Sequence, residues 1–69
     1  MKNLFAKRFL ELRLEHKVSQ EKLAKIFSVG QQTISKWEHK VCEPDYDTLL
    51  IVANYFDVTT DYLLGKTDF

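Results

Sequence analysis

Gln31, Gln32, Ser35, Lys36 and His39 are spaced so that one side of a helix carries them all, with no carboxylate among them. Amide, hydroxyl, ammonium and imidazole groups in such a set can form hydrogen bonds without adding negative charge. Base edges in a DNA major groove ask for that chemistry. A Gln amide can donate to adenine N7 while accepting from the N6 amino group, so Gln31 and Gln32 suit a half-site with adenines. Lys36, one turn further along, can reach guanine or a phosphate. The competing account is a solvated helix start.

These residues need a helix behind them, and the remaining positions of the segment supply one. Ile34 and Trp37 stand at i, i+3 and face inward, which makes Trp37 a core residue rather than a platform for stacking bases. The segment predicts a helix from about Gln31 to Lys40. Ahead of it, Ser19 reads as an N-cap and Glu21 lies in the first turn of a helix running to Phe27, with Leu23, Ala24 and Phe27 inward. About three residues join these two helices, too few for an antiparallel pair and suitable for a steep helix-turn-helix crossing over 19–40. Ala24 allows close approach there, and Val29 plugs the turn. The turn itself, "SVGQQ", has Ser28 where a left-handed residue is wanted and Gly30 where an N-cap is wanted. Ser28 is therefore expected at positive φ, costing about 1–2 kcal/mol. Gly30 is expected to cap with only a few tenths of a kcal/mol of loss.

Outside this unit, Phe5, Phe9 and Leu12 mark a first helix over about 3–16. Pro44 punctuates the chain and can sit in the first turn of a fourth helix, Tyr46 to Phe56, with Leu49, Val52, Ala53 and Phe56 inward. Thr59 caps a last short helix over 60–64, and Gly65 closes it. With two Gly, one Pro and no alternating pattern, the fold class is all-α: five short helices in one domain, 1–69.

The totals exclude several functions. A lone Cys allows no internal disulfide, and no Cys/His spacing suits zinc, which points to the cytoplasm. Apolar runs are too short for a membrane span, and the first residues are too charged for a signal sequence. With no phosphate-cradling Gly loop and with scattered carboxylates, an enzyme is not expected, nor is a cofactor. Net charge is zero, but it is unevenly spread. Residues 1–40 carry nine Lys/Arg against four acids, and residues 41–69 carry one Lys against six acids. Such a dipole suits a polyanion on one side.

The run "VSQEKLAKIFSVGQQTISKWEHKVCEPDYDTLLIVANYFDVTTDYLLG" resembles the Xre/Cro/C1-type helix-turn-helix DNA-binding domains of bacterial and phage repressors, the lambda-repressor-like fold. The matching marks are Ser19-Gln20, Leu23-Ala24, Val29, Thr33-Ile34-Ser35, Trp37-Glu38, Glu43-Pro44, Leu49, Ala53 and Asp61 to Gly65. The resemblance implies that Gln20 holds a backbone phosphate at the start of the second helix and that Gln31 and Gln32 open the recognition helix. Thr33, His39 and Lys40 become phosphate contacts, which position the protein without specifying sequence. Arg13 and Glu38 match an internal ion pair tying the first helix to the third, the alternative for Arg13 being a DNA contact. The implied function is a transcriptional regulator, a repressor in the first instance, binding double-stranded DNA at a palindromic operator as a homodimer.

Some apolar residues remain. Leu10 and Leu14 pair on another face of the first helix, Ile51 and Tyr55 on the fourth, and Phe69 ends the chain. They either widen the core or form a dimer surface with the fourth and fifth helices. A different class of function, an antitoxin-like module holding another protein through helices one and four, would use the same residues. Cys42 is an incidental thiol, or one whose oxidation weakens binding. No effector domain follows, so no small-molecule effector is expected.

Overall fold

The computed structural model describes residues 4–68, and among them five helices and no strand. They are α1 (Phe5–Glu15), α2 (Gln20–Phe27), α3 (Gln31–Glu38), α4 (Tyr46–Phe56) and α5 (Thr60–Leu64). Three of them start on a side-chain cap. Ser19 Oγ accepts from the Lys22 amide at 3.0 Å, Asp45 Oδ1 from Thr48 at 2.9 Å, and Thr59 Oγ1 from Tyr62 at 3.0 Å. The cap at Asp45 places Pro44 one residue ahead of it rather than in the first turn of α4.

All five helices end alike. Lys17, Ser28, Lys40, Asp57 and Gly65 have positive φ, between 55° and 87°. The amide after each reaches back to a carbonyl five residues earlier: Val18 to Arg13, Val29 to Ala24, Val41 to Lys36, Val58 to Ala53 and Lys66 to Asp61, at 2.8–3.1 Å. Val18, Val29 and Val58 pack against the core, which offsets part of the left-handed strain. Val41 does not; it is 68% exposed. Lys40 in this conformation stops α3 at Glu38, two residues short of the expected end. Gly65 cannot be replaced without cost, because a Cβ there would lie 2.7 Å from Leu4 Cγ at φ +87°.

The core is aromatic at its centre. Phe9 is fully buried, stacks on Phe5 at 5.4 Å, and meets the edges of Trp37 at 5.6 Å and Phe56 at 6.1 Å. Ile34, Leu23, Val52 and Leu63 close around it. Truncating such a side chain costs about 3–5 kcal/mol. Trp37 therefore fixes the rotation of α3, with its apolar face inward and its polar face outward.

Arg8 ties the two ends of the chain together. Its Nη1 donates to the carbonyls of Tyr62 at 2.6 Å and Thr67 at 2.5 Å, and its guanidinium lies 4.3 Å from the centre of the Tyr62 ring. Asp68 stands 3.7 Å from Nη2.

Candidate nucleic-acid interface

The turn between α2 and α3 has the conformation its sequence demands. Ser28 is left-handed at φ 58°, ψ 43°, Gly30 is extended at φ −78°, ψ 154°, and Val29 packs inward. Gly30 gives no side-chain cap, so α3 begins with its first amides uncapped by a side chain and the positive end of its dipole exposed. Gln31 and Gln32 stand at that start, both exposed. Together with Gln20 and the half-buried Ser35 they line one open groove of about 500 Å³. Two helices thus bring four polar side chains without a carboxylate to a common surface.

Lys36 and Lys40 are exposed; Lys36 is on the last turn of α3 and Lys40 is the left-handed residue just after it. Thr33 is half-buried. His39 folds back on its own helix, with Nδ1 2.7 Å from the Ser35 carbonyl. A carbonyl only accepts, so Nδ1 carries the hydrogen. Neutral His39 then offers an acceptor, and only the protonated ring could donate to a phosphate.

Behind this face sits the predicted ion pair. Arg13 Nε and Nη2 donate to Glu38 Oε2 at 2.5 Å and Oε1 at 3.2 Å, and Nη1 donates to the Val18 carbonyl at 3.2 Å. The Glu38 side chain is only 4% exposed. A buried carboxylate of this kind needs its partners, since removing one leaves an uncompensated charge. Gln20 joins the pair, its Nε2 donating to Glu38 Oε1 at 2.9 Å. The expected phosphate ligand therefore has part of its donor capacity turned inward.

Sequence reasoning missed two features of this region. Counting Arg8 as part of a basic surface overstated it, because Arg8, like the Arg13 of the expected ion pair, is engaged internally. The exposed cations of the basic half among the described residues are all lysines: 7, 17, 22, 25, 36 and 40. No local pattern marks Arg8, whose carbonyl partners lie 54 and 59 residues away. The other omission is the Gln20–Glu38 bond, which only the crossing of α2 and α3 creates.

On α4, Ile51 is half-exposed and Leu50 beside it is equally open. Tyr55 is less free than its position suggested. Rather than turning away from Phe56, its ring meets Phe56 at 5.0 Å and Phe27 at 5.6 Å, leaving 38% exposed. Leu14 is exposed and Leu10 half-buried. Phe69 lies outside the described residues, and no described helix is long and apolar enough to cross a membrane.

The helix-turn-helix family model matches residues 9–63. The chain is 39% identical over 62 residues to the HTH-type transcriptional regulator ImmR of Bacillus subtilis (strain 168), covering 90% of this chain and 49% of that protein. It is 34% identical to the uncharacterized HTH-type transcriptional regulator YobD of the same organism, covering 94% and 58%. Among solved structures, the P22 c2 repressor in complex with a synthetic operator superimposes with a TM-score of 0.86 at 30% identity, covering 96% of this chain and all of that one. A transcriptional regulator from Listeria innocua gives 0.90 at 26% identity, covering 94% and 61%. The chain belongs to the helix-turn-helix family, of the Xre/Cro/C1 type. That family consists of DNA-binding regulator domains and not enzymes, and regulators rather than antitoxin-like partners are what the matched relatives are named. The chain spans about half the length of the curated relatives it matches.

Proposed function

We propose that this domain binds double-stranded DNA sequence-specifically and regulates transcription from the cytoplasm, as a repressor, with α3 in the major groove. The observation that supports this most is the groove of Gln20, Gln31, Gln32 and Ser35 at the uncapped start of α3. Gln31, Gln32, Ser35 and Lys36 contact bases. Gln20, Thr33, His39 and Lys40 contact phosphates. With both arginines engaged internally, no exposed guanidinium fork serves guanine among the described residues, so the amides carry most of the choice and favour adenine. Bound protein would then occlude polymerase.

A homodimer on a palindromic operator completes the proposal, since two copies of α3 about 34 Å apart read successive major grooves. Ile51 and Tyr55 with α5 form the contact. Ile51→Lys is the cleaner test, because Tyr55 also packs on Phe27. Its sedimentation mass at high concentration should fall to that of the monomer; a wild type already monomeric on DNA would contradict the dimer.

The test of DNA binding is the salt dependence of affinity. Replacing Lys36 or Lys40 with Ala should each reduce the slope of log K against log salt by about one. A slope unaffected by both lysines would overturn the proposed footing.

A further inference from the structure

His39 is the C-cap residue of α3, exposed, and its ring is fixed by its own helix. Nδ1 lies 2.7 Å from the Ser35 carbonyl and 3.4 Å from Ser35 Oγ. The carbonyl takes the Nδ1 hydrogen, so the neutral ring has only a lone pair left, at Nε2. A phosphate oxygen is an acceptor too, and two acceptors make no bond. With the Ser35 bond kept, the ring holds a phosphate only after a second proton enters at Nε2. Imidazole is the side chain that makes this change between about pH 5 and pH 8. The amide of Gln20 and the hydroxyl of Thr33 donate at any pH in that range, and an exposed lysine ammonium keeps its charge throughout it.

The surroundings of the ring hold no resident anion for that proton. Lys36 stands one turn back on α3 and Lys40 is next in the chain, while Glu43 follows in the link to α4. From α1 and α2, which pack against α3, Arg13 and Gln20 both turn to the Glu38 carboxylate. Among the described residues no carboxylate lies in ion-pair contact with His39. A DNA phosphate would be the first counter-charge the protonated ring meets. His16 has the same internal bond, with Nδ1 2.9 Å from the Leu12 carbonyl, but its ring packs edge-on against Phe56 of α4 and belongs to no proposed contact.

We propose that this domain takes up a proton from solvent at His39 when it binds DNA, one for each half-site, so that its affinity rises as pH falls. Occupancy of an operator would then increase on acidification without any bound small molecule. By linkage, the complex favours the protonated ring as much as the protonated ring favours the complex. This inference rests on the reading of α3 as the DNA-facing helix with His39 at a phosphate.

The test measures affinity at constant ionic strength between about pH 8 and pH 6, for the wild type and His39→Gln, on the preferred duplex and on duplexes changed one base pair at a time. Wild-type affinity should rise by about tenfold per half-site, the lower end for a hydrogen bond to a charged group. The rise should be equal on every duplex, because a phosphate carries no sequence. His39→Gln, whose amide does not titrate, should lose the rise. A wild type with flat affinity would overturn the proposal, as would a variant that rises as much as the wild type. A base preference that changes with pH would make His39 a base contact and overturn it as well. Independently of any variant, the imidazole resonances of the two histidines can be followed through a pH titration of the free and the DNA-bound domain. His39 should protonate at higher pH in the complex and His16 at the same pH in both; an unmoved His39 would also overturn the proposal. A wild type that binds all duplexes equally well would fail the DNA-reading proposal itself. A selective wild type whose affinity ignores pH would fail only this inference.

Discussion

The two faces of α3 differ in how fully their groups are satisfied. Ile34 and Trp37 are buried among aromatic rings, and the Glu38 carboxylate beside them is held by Arg13 and Gln20. On the front, Gln31, Gln32 and Lys36 are exposed, and Gly30 gives the helix start no side-chain cap. Charge divides the same way, with a guanidinium behind the helix and lysines in front. A reading helix needs both conditions. Its base contacts depend on placement within about 0.5 Å, which the back supplies. Its front must keep hydrogen-bonding capacity that water satisfies only until DNA replaces it.

Mutations on the two faces should therefore separate stability from binding. The largest effect should come from the back. Arg13→Met strands the Glu38 carboxylate and should cost about 3–5 kcal/mol. A domain of this size has only about that much in reserve, so urea denaturation should show it largely unfolded. Replacing both partners with apolar residues of similar volume should restore most of the loss. If Arg13→Met melted like the wild type, the back of α3 would not be held as described.

On the front, Gln31→Ala and Gln32→Ala should leave the melting curve within about 0.5 kcal/mol of the wild type. Each should reduce discrimination at its own base pair by about 1–3 kcal/mol in titrations of matched and mismatched duplexes. A uniform loss across sequences would make them phosphate contacts.

The turn joining the faces should give a smaller change of opposite sign. Ser28→Gly relieves the left-handed strain but adds backbone entropy to the unfolded chain, so a gain of about 0.5–1 kcal/mol is expected from chemical denaturation. A destabilised variant would show that the turn tolerates serine for another reason.

The smallest effect lies far from either face. The hydrogen bonds from Thr48 hold the Asp45 carboxyl below the usual carboxylate range. A folded-state value lower than the unfolded one stabilises the domain above the unfolded value, and that contribution disappears as pH falls through the folded value. Asp45→Asn should therefore slightly flatten the acid side of the stability profile. An unchanged profile would indicate that the cap adds nothing measurable.

Which parts were legible follows from the range of the forces involved. Ser19 and Thr59 cap the helices they were expected to cap, and α2, α4 and α5 have the expected bounds, because caps and apolar spacing are local. The Ser28–Gly30 geometry was also legible, since each residue's φ/ψ cost can be weighed by itself. Lys17, Lys40 and Asp57 were not expected at positive φ; lysine gives no sign of it, and the tolerance of aspartate for that region is only a weak one. The clue was one position later, in the valines at 18, 41 and 58. Arg13–Glu38 came through the family resemblance, whereas Arg8 and the Gln20–Glu38 bond depend on contacts made only once the helices cross. The residues proposed to read bases were visible from composition and spacing on one helix. Their grouping with Gln20 in a single groove was not.

The central claim is that α3 reads DNA from a rigid back. Its most direct test is selection of bound duplexes from a random pool by the purified domain at stated, moderate salt. Enrichment of two inverted half-sites, centred about 10 base pairs apart and rich in A·T at the positions facing Gln31 and Gln32, is the predicted result. Recovery of sequences no different from the starting pool would contradict it.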